Sequence, residues 1–283
     1  MFRPCWRVHL LVALLFQPLT ASADTVVRYP RPDTAPDSRS RFNHRLLELV
    51  LQRAYITYRV ELTTVRMQQS RAIVRLKSGD SVDVLSTMTS SDREREMLPI
   101  RIPIDKGLIG WRLLMINKSQ AERFKAVTSV DDLRKLMAGQ GADWPDTRIM
   151  RDNGLTVYGT TNYESLFNML ENGRIDYFPR SVTEIWAELD LYPRKLMVEP
   201  SIVLHYPTAI YFFVRKGNTR LATDISEGLE KMIADGSYEK LFQEYFGDML
   251  RRARFKDRRV FELNNPVMPK EMPVGRKNLW FRK

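Results

Sequence analysis

Three short polar segments sit where apolar runs end, and they carry the groups that could do chemistry: the loop opened by Tyr29-Pro30-Arg31-Pro32, the stretch Thr89-Ser90-Ser91-Asp92-Arg93, and Gly159-Thr160-Thr161 ahead of a helical stripe. Unpaired backbone N–H groups at such turns, and the positive end of a helix dipole, suit an anionic group. Trp111, Trp144 and Trp186 could line an aromatic wall, although large aromatic side chains are more commonly core. Glu184 and Glu188 stand four apart and could form a carboxylate pair, although a solvated helix face explains that spacing more simply.

The rest of the composition narrows the field. Of 283 residues one is cysteine, Cys5, and three are histidine, His9, His44 and His205. The first 23 residues read as an export leader: Arg3 and Arg7 make a positive start, Leu10 to Phe16 is apolar, Pro18 breaks the run, and Ala21-Ser22-Ala23 offers small residues before Asp24. The run is shorter than the ~20 residues of a membrane span. Cys5 precedes it, so it is not the lipid-bearing cysteine of a lipoprotein. Cleavage after Ala23 would remove Cys5 and His9, and with them any disulfide, thiol nucleophile or histidine-rich metal centre; no cofactor or metal is expected. No later apolar stretch is long enough for a transmembrane anchor. The net charge of +11, from 45 Lys+Arg and 34 Asp+Glu, is spread along the chain without a recognition motif, which argues against nucleic acid as a partner. With 43% hydrophobic and 10% aromatic residues the chain can bury a core of one or two domains.

The elements that must position these groups alternate. Val26 and Val27 begin a short strand, Phe42, Leu46, Leu49 and Val50 mark a helix, and Thr57 to Leu62 reads as a strand. A helix over 68–77 ends at Gly79, and Val82 to Leu85 is the next strand. Beyond a strand at Leu108 to Ile116 the alternation resumes. Ser129 with Asp132 caps a helix running through Met137, Thr156 to Tyr158 is a strand, and Thr161 with Glu164 caps a helix that Gly173 stops. Ile175 to Phe178 is a strand, Ser181 with Glu184 caps a helix through Asp190, and Ile202 to Val214 is a strand broken at Pro207. Helices over 221–234 and 238–246 follow, then a basic tail from Arg251. The pattern predicts an α/β sheet with parallel members, built twice.

Gly79-Asp80-Ser81-Val82-Asp83-Val84, Thr89 and Arg93, Gly159-Thr160, Leu170-Glu171-Asn172-Gly173-Arg174-Ile175-Asp176, Lys216-Gly217-Asn218 and Asp235-Gly236-Ser237-Tyr238-Glu239-Lys240 occur in that order. Their order and spacing resemble the family 3 extracellular solute-binding proteins, the periplasmic receptors of polar amino-acid ABC transporters, over nearly the whole chain after the leader. The resemblance implies a type II periplasmic-binding fold: two α/β lobes, two crossing strands and a central cleft. Residues 1–23 would be the signal peptide, 24–113 with 205–250 lobe 1, 114–204 lobe 2, and 251–283 a basic C-terminal extension. In the resembled family an arginine a few residues after a threonine clamps the ligand carboxylate through two parallel hydrogen bonds. Arg93 after Thr89 matches, one residue closer than usual. The family also places an acid at the end of the Ile175 strand, against the ligand ammonium; here Phe178-Pro179-Arg180-Ser181 stands instead. A basic residue there repels ammonium and attracts a carboxylate, phosphate or sulfate.

The expectation is a non-catalytic periplasmic receptor for a small solute that carries an anionic group and is not a simple zwitterionic amino acid. Its ligand-binding residues would be Tyr29, Thr89, Ser90, Arg93, Gly159, Thr160, Thr161, Arg180 and Ser181, and its partner an inner-membrane ABC permease or a sensor. One alternative is an exported lyase on the same fold, similar to cyclohexadienyl dehydratase, in which an acid such as Glu184 protonates a leaving hydroxyl in a basic pocket. Another is a sensor or interaction module whose cleft is filled. The basic tail with Trp280 and Phe281 reads as a loose end or as a contact with anionic lipid or a partner.

Overall fold

The structure, a computed structural model, describes residues 24–32 and 38–283; the expected leader over 1–23, with Cys5, lies outside the described residues. Strand β1 (Thr25–Pro32), helix α1 (Ser38–Leu51) and strand β2 (Tyr58–Met67) form a unit in which the two strands pair in parallel. Helix α2 (Gln69–Ser78), β3 (Val84–Met88), α3 (Ser91–Glu96) and β4 (Leu98–Ile100) follow. A 3-10 turn at Leu108–Gly110 leads into β5 (Trp111–Asn117). The middle of the chain holds α4 (Ala121–Lys125), α5 (Val130–Arg134), β6 (Met137–Gly141), α6 (Pro145–Asp152), β7 (Thr156–Thr160), α7 (Tyr163–Glu171), β8 (Tyr177–Ser181) and α8 (Ile185–Leu189). Then come β9 (Leu196–His205), β10 (Ile210–Val214), α9 (Thr219–Ala234), α10 (Ser237–Ala253) and β11 (Arg259–Glu262).

The mixed α/β architecture has two lobes. One is built on the β1-β2 pair and the antiparallel β3-β10-β4 sheet, the other on a six-stranded sheet in the order β11-β9-β5-β8-β6-β7. The expected stripes do most of the packing: Phe42, Leu46 and Val50 of α1 and Ile225 and Leu229 of α9 are fully buried, while Leu47 and Met232 are buried in place of the half-buried Leu49 and Ile233. The two helices meet at Gly228, where a Cβ would lie 2.4 Å from the Val50 carbonyl oxygen. Gly79 ends α2 at φ 72°, in the left-handed region that glycine tolerates.

Several local expectations are corrected. The Ser129–Asp132 capping box forms, but its helix stops at Arg134, and Met137 begins β6. That strand reads Met-Ala-Gly-Gln-Gly and carries almost no β-propensity; it exists because Ala138 and Gly139 fit under neighbouring side chains. A Cβ at Gly139 would come 2.3 Å from Ile175 Cδ1. Helix α7 is capped by Asn162, whose side chain accepts the Ser165 amide at 3.0 Å, and not by Thr161. Ser181 lies in β8, and α8 starts only at Ile185.

The tail is not a loose end. Strand β11 adds in parallel to β9 at the edge of the larger sheet, and Phe255, Phe261, Leu263, Val267 and Leu279 are buried. Phe281 donates its amide to the Lys106 carbonyl at 2.8 Å, and the Trp111 ring packs among His205, Phe255 and Phe281. Among the described residues no helix is long and apolar enough to cross a membrane.

Candidate functional site

A cavity of about 310 Å³ opens where the ends of β1, β3 and the start of α2 face the loops that follow β6, β7 and β8. Of the nine residues expected to touch a solute, Tyr29, Arg93, Thr160, Thr161 and Arg180 line it; Thr89, Ser90, Gly159 and Ser181 do not. Each exception has a structural duty. The Thr89 hydroxyl is buried and donates to Glu94 at 2.7 Å, and Ser90 caps α3 by accepting the Arg93 amide at 3.2 Å. A Cβ at Gly159 would lie 3.3 Å from the Ala142 backbone, so that residue serves close strand packing. The Ser181 hydroxyl donates to the Leu108 carbonyl at 3.1 Å and its amide to Glu184 at the same distance, tying β8 to the turn ahead of β5.

The short helix α3 turns Arg93 back towards the end of β3. Its Nη1 donates to Thr87 Oγ1 and the Met88 carbonyl, both at 2.8 Å, and its Nη2 to Gln69 Oε1 at 2.6 Å. All three acceptors are neutral. Burial lowers the guanidinium to about 10, opposed by the carboxylates of Asp146 and Asp143 across the cavity. Beside it the Tyr29 hydroxyl sits 2.5 Å from Ser86 Oγ, which also accepts from Asn43 Nδ2 at 2.8 Å. Burial pushes that phenol up, so it stays protonated.

On the opposite wall Arg180 leaves β8 with its charge already matched. Its Nε donates to Glu188 Oε2 at 2.8 Å and its Nη2 to Glu188 Oε1 at 2.6 Å, with Glu184 at 3.2 Å. The guanidinium also lies 5.0 Å from the Trp144 ring centre and 4.9 Å from that of Phe178. Arg112, the second residue of the apolar β5, bonds Asp146, lies 3.3 Å from Glu184 and donates to the Tyr206 hydroxyl at 2.9 Å. Arg39 of α1 reaches across the cavity to Glu184 at 2.5 Å. Among the described residues lining the cavity, Arg39, Arg93, Arg112 and Arg180 therefore balance Asp143, Asp146, Glu184 and Glu188.

Two expectations are corrected by this network. Arg180 does not offer a free positive charge to an anion, because Glu188 and Glu184 take it up. Glu184 and Glu188 are not a solvated helix face; they are 3% and 7% exposed. Burial pushes the Glu184 carboxyl up, but Arg180, Arg39 and Arg112 outweigh it and hold Glu184 well below the usual carboxylate range. A carboxylate so held is ionised at neutral pH, so Glu184 does not fit the role of proton-donating acid expected for it.

Sequence reasoning missed Arg39, Arg112, Asp143 and Asp146. An arginine inside the apolar run Leu108 to Ile116 was the available signal, since a charge enters a buried strand only with a partner. Asp143 lines the cavity, is exposed, and has no ion pair or hydrogen bond among the described residues. Of the tryptophans, Trp111 and Trp186 are core and Trp144 lines the cavity.

Residues 42–248 match the family model described as bacterial extracellular solute-binding proteins, family 3. A probable histidine-binding protein of Neisseria gonorrhoeae is 24% identical over 180 residues, 60% of this chain and 63% of that one. A putative ABC transporter arginine-binding protein 2 of Escherichia coli (strain K12) is 27% identical over 123 residues, 42% of this chain and 51% of that one. The chain thus spans between half and two thirds of the length of these relatives. Among solved structures, an ancestral arginine-binding protein bound to glutamine superposes with a TM-score of 0.61 at 20% identity, covering 79% of this chain and 99% of that one, which is a likeness of fold.

Proposed function

The chain belongs to the family 3 bacterial extracellular solute-binding proteins, and on that premise we propose that it is a periplasmic receptor for a small zwitterionic solute of the amino-acid class. The solute carboxylate seats on Arg93 and its ammonium faces Asp143 and Asp146. The supporting observation is the pairing of opposites across the cavity. A guanidinium whose hydrogen bonds go only to neutral acceptors faces a carboxylate, Asp143, without a partner among the described residues. Relatives named for histidine and arginine binding support the same class of ligand. The balanced charge of the lining favours a zwitterion over the net-anionic solute expected from Arg180, because an anion gains only where positive charge is uncompensated. A cavity of about 310 Å³ supports a cleft that still takes a ligand.

In this reading residues 24–113 with 205–250 and residues 114–204 are lobes that close on the solute about the crossings near 108–116 and 205–213, and the closed form is presented to an inner-membrane ABC permease. Calorimetry of the purified chain against the common amino acids, with dicarboxylates and phosphorylated compounds as controls, tests it. Arg93→Ala should weaken binding by roughly ten- to a hundredfold, the loss of a charge-assisted pair, and Asp143→Asn by about tenfold. Tight binding of a control anion with no amino acid bound, or wild-type affinity in both variants, would overturn the assignment.

A further inference from the structure

We infer that Arg180 is a specificity residue: from within the protein it occupies the seat that a cationic ligand side chain would take, so the solute accepted by the cleft has a neutral side chain. The inference rests on the cleft being the solute site. Recognition of a guanidinium takes a carboxylate presented edge-on and aromatic faces around it, and both are built here around Arg180. Glu188 accepts two of its N–H groups, with Trp144 and Phe178 against the ion. Tyr163 donates its hydroxyl to Glu188 Oε1 at 2.6 Å, holding the carboxylate in place. Glu184, the second acid of the seat, is shared among Arg180, Arg39 and Arg112.

Arg180 cannot easily step aside. It belongs to β8, where it lies opposite Leu113 of β5, and it is 4% exposed. A ligand ammonium or guanidinium that displaced it would leave a buried arginine without a counter-charge, the arrangement that most penalises a buried ion pair. Removing the Arg180 side chain would instead leave a vacant pocket, continuous with the cleft, with Glu188 and Trp144 on its walls. Arginine, the ligand named for one relative, is therefore not the one this cleft accepts.

The test uses the whole chain after the leader, wild type and Arg180→Ala, titrated with methylguanidinium and with arginine by calorimetry and thermal shift. Arg180→Ala should bind methylguanidinium at least about tenfold tighter than wild type and melt higher in its presence, because one charge-assisted pair is restored. Adding Glu188→Gln should abolish that gain. A folded Arg180→Ala that gains no affinity for methylguanidinium overturns the inference. So does a wild type that binds arginine at micromolar concentration. If Arg180→Ala fails to fold alone, its recovery on refolding with methylguanidinium supports the inference, and failure to recover together with arginine binding by wild type overturns it. A methylguanidinium gain in the variant, with no amino acid bound by wild type, would sink the receptor reading and leave this one standing.

Discussion

The Asp105 carboxylate accepts the Ile210 amide at 3.4 Å, although Asp105 lies ahead of β5 and Ile210 opens β10, 105 residues further on. The same carboxylate accepts the amides of Ile109 at 2.7 Å and Gly107 at 3.0 Å. One fully buried side chain thus ties the turn ahead of β5 to the start of β10 and satisfies three backbone donors.

Burial raises Asp105 to about 6, against the opposing hydrogen bonds from Ile109, Ile210 and Gly107. A carboxyl raised in the folded state favours folding below its unfolded pKa of 3.8 and loses that contribution as pH rises through 6. Relative to Asp105→Asn, which does not titrate, wild type should therefore gain up to about 3 kcal/mol between pH 7 and pH 4. Urea unfolding of both proteins at the two pH values measures this. A difference that stays flat, or that moves the other way, contradicts the burial argument.

Glu184 should show the opposite sign. Its pKa falls from 4.5 to about 2: burial works against ionisation, and Arg180, Arg39 and Arg112 overcome it. Its contribution is present above pH 4.5 and drains away as pH falls towards 2. At pH 7, Glu184→Gln should cost about 3–5 kcal/mol, since it leaves buried guanidiniums short of a counter-charge. The cost should shrink steadily in unfolding curves taken between pH 4 and pH 2.5.

At Gly110 a side chain has no room. A Cβ there would lie 2.2 Å from the Tyr206 carbonyl oxygen, where the turn ahead of β5 runs beside the chain leaving β9. Gly110→Ala should destabilise by about 1–3 kcal/mol, because backbone and not a flexible side chain must move. Gly275→Ala, with nothing within 4 Å of its Cβ, is the matched control and should be near neutral in thermal melts.

Ending the chain at Arg258 would remove β11 together with buried Phe261, Leu263, Val267 and Leu279. The loss should exceed about 4 kcal/mol of unfolding free energy, judged from the apolar area these side chains hide. Trp111 would lose its edge contact with Phe281, now at 5.7 Å between ring centres. Its fluorescence should shift to the red even in conditions where the truncated chain remains folded.

Much of the scaffold was legible in the chain because it depends on local spacing. The stripe Phe42, Leu46, Val50, the stop at Gly79 and the box of Ser129 with Asp132 each act within a few residues, so their physics is written in sequence order. Strand β6 was not legible. Its glycines carry no propensity, and only the approach of Ile175 to Gly139 explains them.

Sequence alone placed Arg93 at the end of a strand and Arg180 at the end of another, and established that both carry charge. Which of the two has its charge matched by carboxylates was decided by tertiary structure. Arg93 meets the neutral Thr87, Met88 and Gln69, and Arg180 meets Glu188 and Glu184. Arg112 and Asp146, 34 residues apart, become a buried pair only when β5 and α6 are brought together. The sign of a charge belongs to the residue, whereas its compensation depends on distance and burial, and these are set by the packing of two lobes.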